Sequence, residues 1–390
     1  MTLLLDRSEA TPQTHVLAIG VGTYRHLRGG EDPLLADDID LVGRLESPRP
    51  SAIAFTTWVM TKLRNPRAQL GSVELLVSPS ADGTTIPVDR PTIAAIKTAA
   101  DDWVERCNQH PDNVAMFFFC GHGLGNVVTT LLLPEDFGAS PRRPLERAID
   151  FDLTYEAMGR CCKARTQCFF IDACRGRPEL LRELQGSNAA PLVEPRVRSR
   201  LAVNAPILYS TSEGASAWAL RGGQPTRYTR DLIRSLDGLG SYQLGSRWEV
   251  NTEGLRTAML SLGSMPPDDG VPAQRVEAGG ICGHPGGSRL RGGATLHVTD
   301  SPPLVPLAVT SLPEEALSYA ALSLTPFPAG EDPLVVRAPA QGPWRVDVPA
   351  SHYQLGTRFP GREHADRDDE LLTIDPPVHD HQIDLTTGPP

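Results

Sequence analysis

A chain of 390 residues, 40% hydrophobic and 22% charged, has the length for two or three domains and a sizeable core. Its 37 basic side chains stand against 47 acidic ones, a net charge of −10. That excludes the broad positive field of a nucleic-acid or anionic-membrane binder and leaves small molecules or proteins as partners. The first residues carry Asp6 and Glu9 and no small-residue cleavage site, so no export signal is read there. In chain order, residues 15–21 (HVLAIGV) form a continuous apolar run that reads as a strand buried on both faces. Similar runs follow at 73–77, 114–119, 168–171 and 205–209. Between them, residues 37–45, 52–63, 92–107 and 153–163 have helical patterning, the third introduced by Pro91. Alternating strands and helices predict an α/β domain whose mostly parallel sheet is covered on both faces.

Helical patterns return at 226–236 and 252–262, and Pro and Gly then dominate residues 265–291, which read as a linker. Short alternating stretches at 294–298, 304–309, 334–336 and 344–348 predict a small C-terminal β-sandwich, immunoglobulin-like or similar. The expected division is an N-terminal extension (1–13), an α/β domain (14–285) and an accessory β-domain (286–390). The acidic stretch 363–370 reads as a solvated loop. Seven cysteines, odd in number and irregularly spaced, do not form a secreted disulfide framework, and a cytoplasmic location is expected. The longest apolar run, 114–120, is too short to span a bilayer.

Two strand ends carry reactive side chains, and ligands of open α/β sheets bind beyond the carboxyl ends of the strands. The run 114–119 ends in Cys120-Gly121-His122-Gly123, and 168–171 ends in Asp172-Ala173-Cys174-Arg175-Gly176. A thiol near its ordinary pKa is only a few per cent ionised at neutral pH, so Cys174 needs a base, which His122 can supply. The N–H groups of Gly123 and Cys174 can serve a developing oxyanion. Weaker motifs fall away. Gly20-Val21-Gly22 has Arg25 where a dinucleotide loop needs its third glycine, and His379-Asp380-His381 reads as a polar tail rather than a metal site.

A cysteine within Gln-Ala-Cys-Arg-Gly, with its histidine about 50 residues upstream, is the caspase signature. Residues 14–278, about two thirds of the chain, resemble a caspase-fold cysteine protease of the prokaryotic, metacaspase-like branch. The likeness extends to Tyr209-Ser210-Thr211-Ser212-Glu213-Gly214 and to Gly222-Gly223 before the 226–236 helix. The resemblance implies His122 and Cys174 as catalytic residues and an S1 pocket built from Asp172, Ser210 and Ser212. It departs from aspartate-cleaving caspases, since Asp172 replaces the motif's Gln and Ala217-Trp218-Ala219 replaces Ser-Trp-Arg. A carboxylate there favours arginine over lysine, because a guanidinium can bridge it with two charge-assisted hydrogen bonds.

The interval 175–204 is where caspases carry their activation linker, so Arg196, Arg198 and Arg200 are expected cleavage sites. The resemblance further implies protein substrates with exposed arginine-containing loops, a bacterial defence or cell-death cascade and a regulatory partner on the C-terminal domain. No cofactor and no metal are expected, although a calcium requirement stays open. The competing reading is a silent caspase-fold scaffold, against which the paired His122 and Cys174 speak.

Overall fold

The structure is a computed structural model of residues 1–390. It describes all residues except 1, 8, 10, 36–40, 81–85, 126–128, 177–188, 195–203, 212–222, 266–274, 282–292, 329–331, 363 and 387–390, with only the backbone described at 368–369. The chain opens with β1 (Leu3–Asp6) and β2 (Gln13–Gly20), then α1 (Pro48–Lys62), β3 (Gln69–Val77), α2 (Ile93–Cys107) and β4 (Val114–Gly121). Three short strands follow, β5 (Gly123–Gly125), β6 (Thr130–Leu132) and β7 (Ile149–Asp150), and then α3 (Phe151–Cys161), β8 (Thr166–Ala173) and β9 (Ala205–Tyr209). The first part continues with α4 (Arg227–Arg234), β10 (Ser241–Leu244), β11 (Arg247–Asn251), α5 (Thr252–Ser264), β12 (Glu277–Ile281) and β13 (Thr295–Thr299).

Seven of these strands form one sheet in the order β1-β3-β2-β4-β8-β9-β12. Its five inner strands are parallel and both edges are antiparallel. The all-apolar runs read from the sequence are these inner strands, and the reason is visible in their two faces. Leu17, Ile19, Phe117, Phe119, Phe169 and Ile171 face α2 and α3 in one core. Their alternates Val16, Ala18, Met116, Phe118, Cys168 and Phe170 face α1, α4 and α5 in a second. Helix α2 is started by Thr92, whose Oγ1 accepts from the Ala95 N–H, and buries the stripe Ile96, Ala99, Ala100, Trp103 and Cys107.

Four expectations are corrected. The described part of the 37–45 stretch, residues 41–45, is an extended strap bridged to Thr23 and Arg28 rather than a helix. The 265–291 stretch is more than a linker, because β12 lies in it and closes the main sheet beside β9. The 294–298 segment is β13, which pairs with β11 instead of joining the C-terminal strands. The acidic 363–370 stretch runs into β19 (Arg367–Ile374) rather than staying a loop.

The C-terminal region holds β14 (Leu304–Leu312), β15 (Ala321–Pro326), β16 (Val335–Arg337), β17 (Trp344–Pro349), β18 (Ser351–Arg358), β19 and β20 (His379–Asp384). They form a three-stranded sheet β17-β14-β20, with β14 and β20 parallel, and a four-stranded sheet β16-β15-β18-β19. Their shared core includes Val305, Leu322, Trp344 and Leu355, but also Leu239, Trp248, Ala258 and Leu262 from the first part. The two parts therefore share buried apolar surface. Truncating Leu262 to Ala should cost about 2–5 kcal/mol by opening a cavity in that joint core. Calorimetry is expected to show one transition, lowered as a whole; a drop confined to one of two separate transitions would mean that the parts unfold independently.

Candidate active site

The register of β4 against β8 builds the site. Cys120 pairs with Asp172 and Gly121 with Ala173, so His122 and Cys174 are the next residues out of two neighbouring parallel strands. Adjacent strands lie about 4.8 Å apart. Beyond the sheet the two segments stay together, with a bridge between Leu124 and Gly176 and a hydrogen bond of 2.9 Å from the Gly125 N–H to the Gly176 carbonyl. His122 is buried, and Cys174 is partly exposed. Gly123 is sterically required, because a Cβ there would lie 2.5 Å from the Cys174 carbonyl oxygen. By strand alternation its N–H points the same way as that of Gly125, toward the Cys174 segment.

The imidazole is fixed from the far side. His122 Nε2 lies 2.8 Å from the Val42 carbonyl oxygen, which can only accept, so Nε2 carries the proton and Nδ1 of the neutral ring keeps its lone pair. Burial lowers the His122 pKa to about 4, against a smaller opposing effect of the Val42 hydrogen bond. The ring is thus a neutral base at pH 7. Neither Val42 nor Tyr24, whose hydroxyl accepts the His122 N–H at 2.5 Å, was singled out in the sequence. A carbonyl partner is independent of residue type, and the strap that brings Val42 there had been read as helix.

Asp172 is buried on the α4 face of the sheet. Its Oδ2 accepts from the Thr226 hydroxyl, from Thr229 Oγ1 at 2.9 Å and from Cys120 Sγ at 3.5 Å. Thr226 is also the N-cap of α4, its Oγ1 accepting from the Thr229 N–H at 3.1 Å, so the carboxylate is locked onto a helix start. Among the described residues no hydrogen bond reaches Asp172 Oδ1. Burial raises the Asp172 pKa, with the hydroxyl and thiol donors opposing it. Ser210 is buried beside it, and its Oγ donates to the Ala173 carbonyl at 3.3 Å. Ser212, Arg196, Arg198 and Arg200 lie outside the described residues. Arg175 points away from Asp172: its guanidinium stacks 4.2 Å over the Tyr209 ring and bonds Glu277 at 2.9 Å, tying the segment after Cys174 to β9 and β12.

Residues 66–248, which include both strand ends, match the family model described as Caspase domain. That stretch is similar to a caspase domain. The chain is 29% identical over 259 residues to y4kE, an uncharacterised protein of Sinorhizobium fredii, covering 64% of this chain and 72% of that protein. Among solved structures it is similar to caspase-1 from Spodoptera frugiperda, with 13% identity, a TM-score of 0.40, and coverage of 71% of this chain and 94% of that one. Caspase domains are a family of cysteine peptidases, and the mostly parallel sheet flanked by helices is the fold expected of one. Among the described residues no cluster of metal-ligating side chains occurs, and no helix is long and apolar enough to cross a membrane.

The buried histidines set an acid limit on the domain. His15 and His297, like His122, are lowered to about 4, chiefly by burial. An unfolded histidine titrates near 6.5, so the folded state binds fewer protons and its stability, complete above pH 6.5, drains away as the pH falls toward 4. Thermal unfolding should therefore come several degrees lower at pH 4.5 than at pH 7, and the His122 ring protons should titrate near pH 4 by NMR. A His122 midpoint near 6.5 would contradict the buried, neutral imidazole.

Proposed function

We propose that the chain is a cysteine endopeptidase that cleaves proteins after basic residues, arginine in preference to lysine. The observation that carries this reading is the registered exit of His122 and Cys174 from neighbouring strands, beside a buried carboxylate with one oxygen unbonded by the described residues. Cys174 Sγ gives up its proton to His122 Nδ1 and attacks the scissile carbonyl carbon, forming a C–S bond. The oxyanion is held by the N–H groups of Gly123 and Cys174. As the C–N bond breaks, His122 returns the proton to the leaving amine, and a thioester remains. Water, deprotonated by the same imidazole, then attacks the thioester and restores the thiol.

Asp172 forms the floor of the S1 pocket, with Ser210 beside it; the resemblance adds Ser212, which lies outside the described residues. Asp172 Oδ2 is held by α4, and the buried Oδ1, which takes no hydrogen bond from the described residues, would receive a substrate guanidinium that favours the charged form of the carboxylate. An aspartate side chain would set two carboxylates against each other, and an apolar one would leave Asp172 unpaired. Cleavage at Arg196, Arg198 or Arg200 would release the pocket loops, placing the enzyme within a cytoplasmic proteolytic cascade of defence or cell death, as its resemblance to prokaryotic caspase-like proteins implies.

Fluorogenic peptides ending in Arg, Lys and Asp, assayed with calcium and with chelator, test this. The wild type should cleave Arg best and Asp not at all, and Cys174→Ala should abolish turnover. Asp172→Asn should lower kcat/KM for the Arg peptide about 100-fold, equivalent to about 2.7 kcal/mol and consistent with one or two charge-assisted bonds. It should not lower the melting temperature at pH 7, because a buried carboxylate with a raised pKa destabilises the fold when ionised and the amide mimics its protonated form. Turnover surviving Cys174→Ala, or an unchanged Arg preference in Asp172→Asn, refutes the reading.

A further inference from the structure

Tyr24 follows β2 and is wholly buried between the carboxyl edge of the sheet and the strap at 41–45. It meets each feature that sets where the His122 imidazole sits. Its hydroxyl oxygen accepts the His122 N–H at 2.5 Å, holding the main chain at the point where it leaves β4. Its ring lies 4.7 Å from the imidazole, centroid to centroid, inclined at 43°, and so limits the ring's tilt. Its own N–H donates to the Gly43 carbonyl at 2.8 Å, and Gly43 adjoins Val42, whose carbonyl takes the Nε2 proton. The hydroxyl also occupies the space beside Gly121, where a Cβ would lie only 2.6 Å from it. Burial pushes the phenol's pKa well above its ordinary value, so the hydroxyl stays neutral.

We propose that Tyr24 is a positioning residue, its hydroxyl and ring holding His122 in the orientation from which Nδ1 reaches the Cys174 thiol. The proposal rests on the reading of His122 and Cys174 as base and nucleophile. Tyr24 is wholly buried, so the role assigned to it is exerted through His122. The bond it supplies stands where His122, one residue past the last registered pair of β4 and β8, has left the ladder. Small misplacements of a reacting group lower rates steeply, so removal of one hydroxyl is expected to act on the chemical step rather than on binding.

The variant Tyr24→Phe keeps the ring and the Tyr24 N–H and deletes only the oxygen. In the full chain it should lower kcat for an Arg peptide ten- to a hundredfold with KM changed less than about twofold. The second-order rate of Cys174 alkylation by iodoacetamide should fall in parallel, with its pH profile moved toward that of a thiol lacking a paired base. A role in packing alone would lower the melting temperature and leave kcat and alkylation per folded molecule unchanged. That result overturns the proposal. Should Tyr24→Phe not fold, hydrogen exchange of the unmutated protein decides: the His122 amide should exchange at least a hundredfold more slowly than an unprotected amide, and rapid exchange overturns the proposal. If the wild type cleaves no peptide, the protease reading fails, while alkylation and exchange still report on Tyr24.

Discussion

The pairing of β4 with β8 is the constraint on which the site depends. Side chains alternate along a strand, so a slip of β4 by one residue would move Phe118 and Cys120 to the opposite face and leave His122 and Cys174 at different heights. Two apolar cores on opposite sides of these strands make such a slip costly. Phe117 and Phe119 would have to exchange places with Met116 and Phe118. The chemistry is thus held in place by packing that involves no reactive group, and the sheet serves as a ruler for two side chains just beyond its edge.

Much of this was legible because burial on two faces imposes an uninterrupted apolar run, which little else in a chain of this composition does. Five such runs gave the inner strands, and the reactive residues stood at the ends of two of them. The parts that stayed hidden are those whose positions are set by other segments. The edge strands β1 and β12 carry weak patterns because one side of each is open. Residues 41–45 have helix-compatible composition, yet are held extended by bonds of Gly43 and Leu45 to Tyr24, Arg28 and Gly22. Val42 contributes only a carbonyl oxygen, a group every residue has, and no reading of side chains could have singled it out. Asp172 was found from its place in the motif, but its partners Thr226 and Thr229 lie more than fifty residues away.

Two buried titratable groups, His122 and Asp172, lie at the ends of the two strands that carry the site, and burial acts on them in opposite senses of charge. It lowers the His122 pKa and raises that of Asp172, so in each case the neutral form is favoured. A neutral imidazole is ready to accept a proton from a thiol. A neutral carboxyl is not ready to bind a cation, and the hydroxyls of Thr226 and Thr229 and the thiol of Cys120 only partly offset the desolvation. Occupation of the pocket by a guanidinium would complete what those donors begin, so binding and ionisation of Asp172 are linked events. On the proposed reading, substrate affinity at this subsite would depend on pH over the range in which the free carboxyl loses its proton.

This linkage separates the two roles open to Asp172. A carboxylate kept only to anchor α4 gains nothing from being an acid, since an asparagine oxygen would accept from the same threonines without the burden of a buried charge. A carboxylate that must receive a cation has to be an acid, and its second oxygen has to face somewhere other than the helix that holds the first. Asp172 is such an acid, with Oδ2 engaged by Thr226 and Thr229 and a buried Oδ1 without a hydrogen bond from the described residues. The stability given up by burying an ionisable group there is consistent with a site shaped for its ligand, as unpaired buried polar atoms in native proteins call for such a reason. On the proposed reading the α4 N-terminus would have a second use beyond starting a helix: by fixing one oxygen of the carboxylate it would hold the other in a constant place relative to Cys174, two residues on.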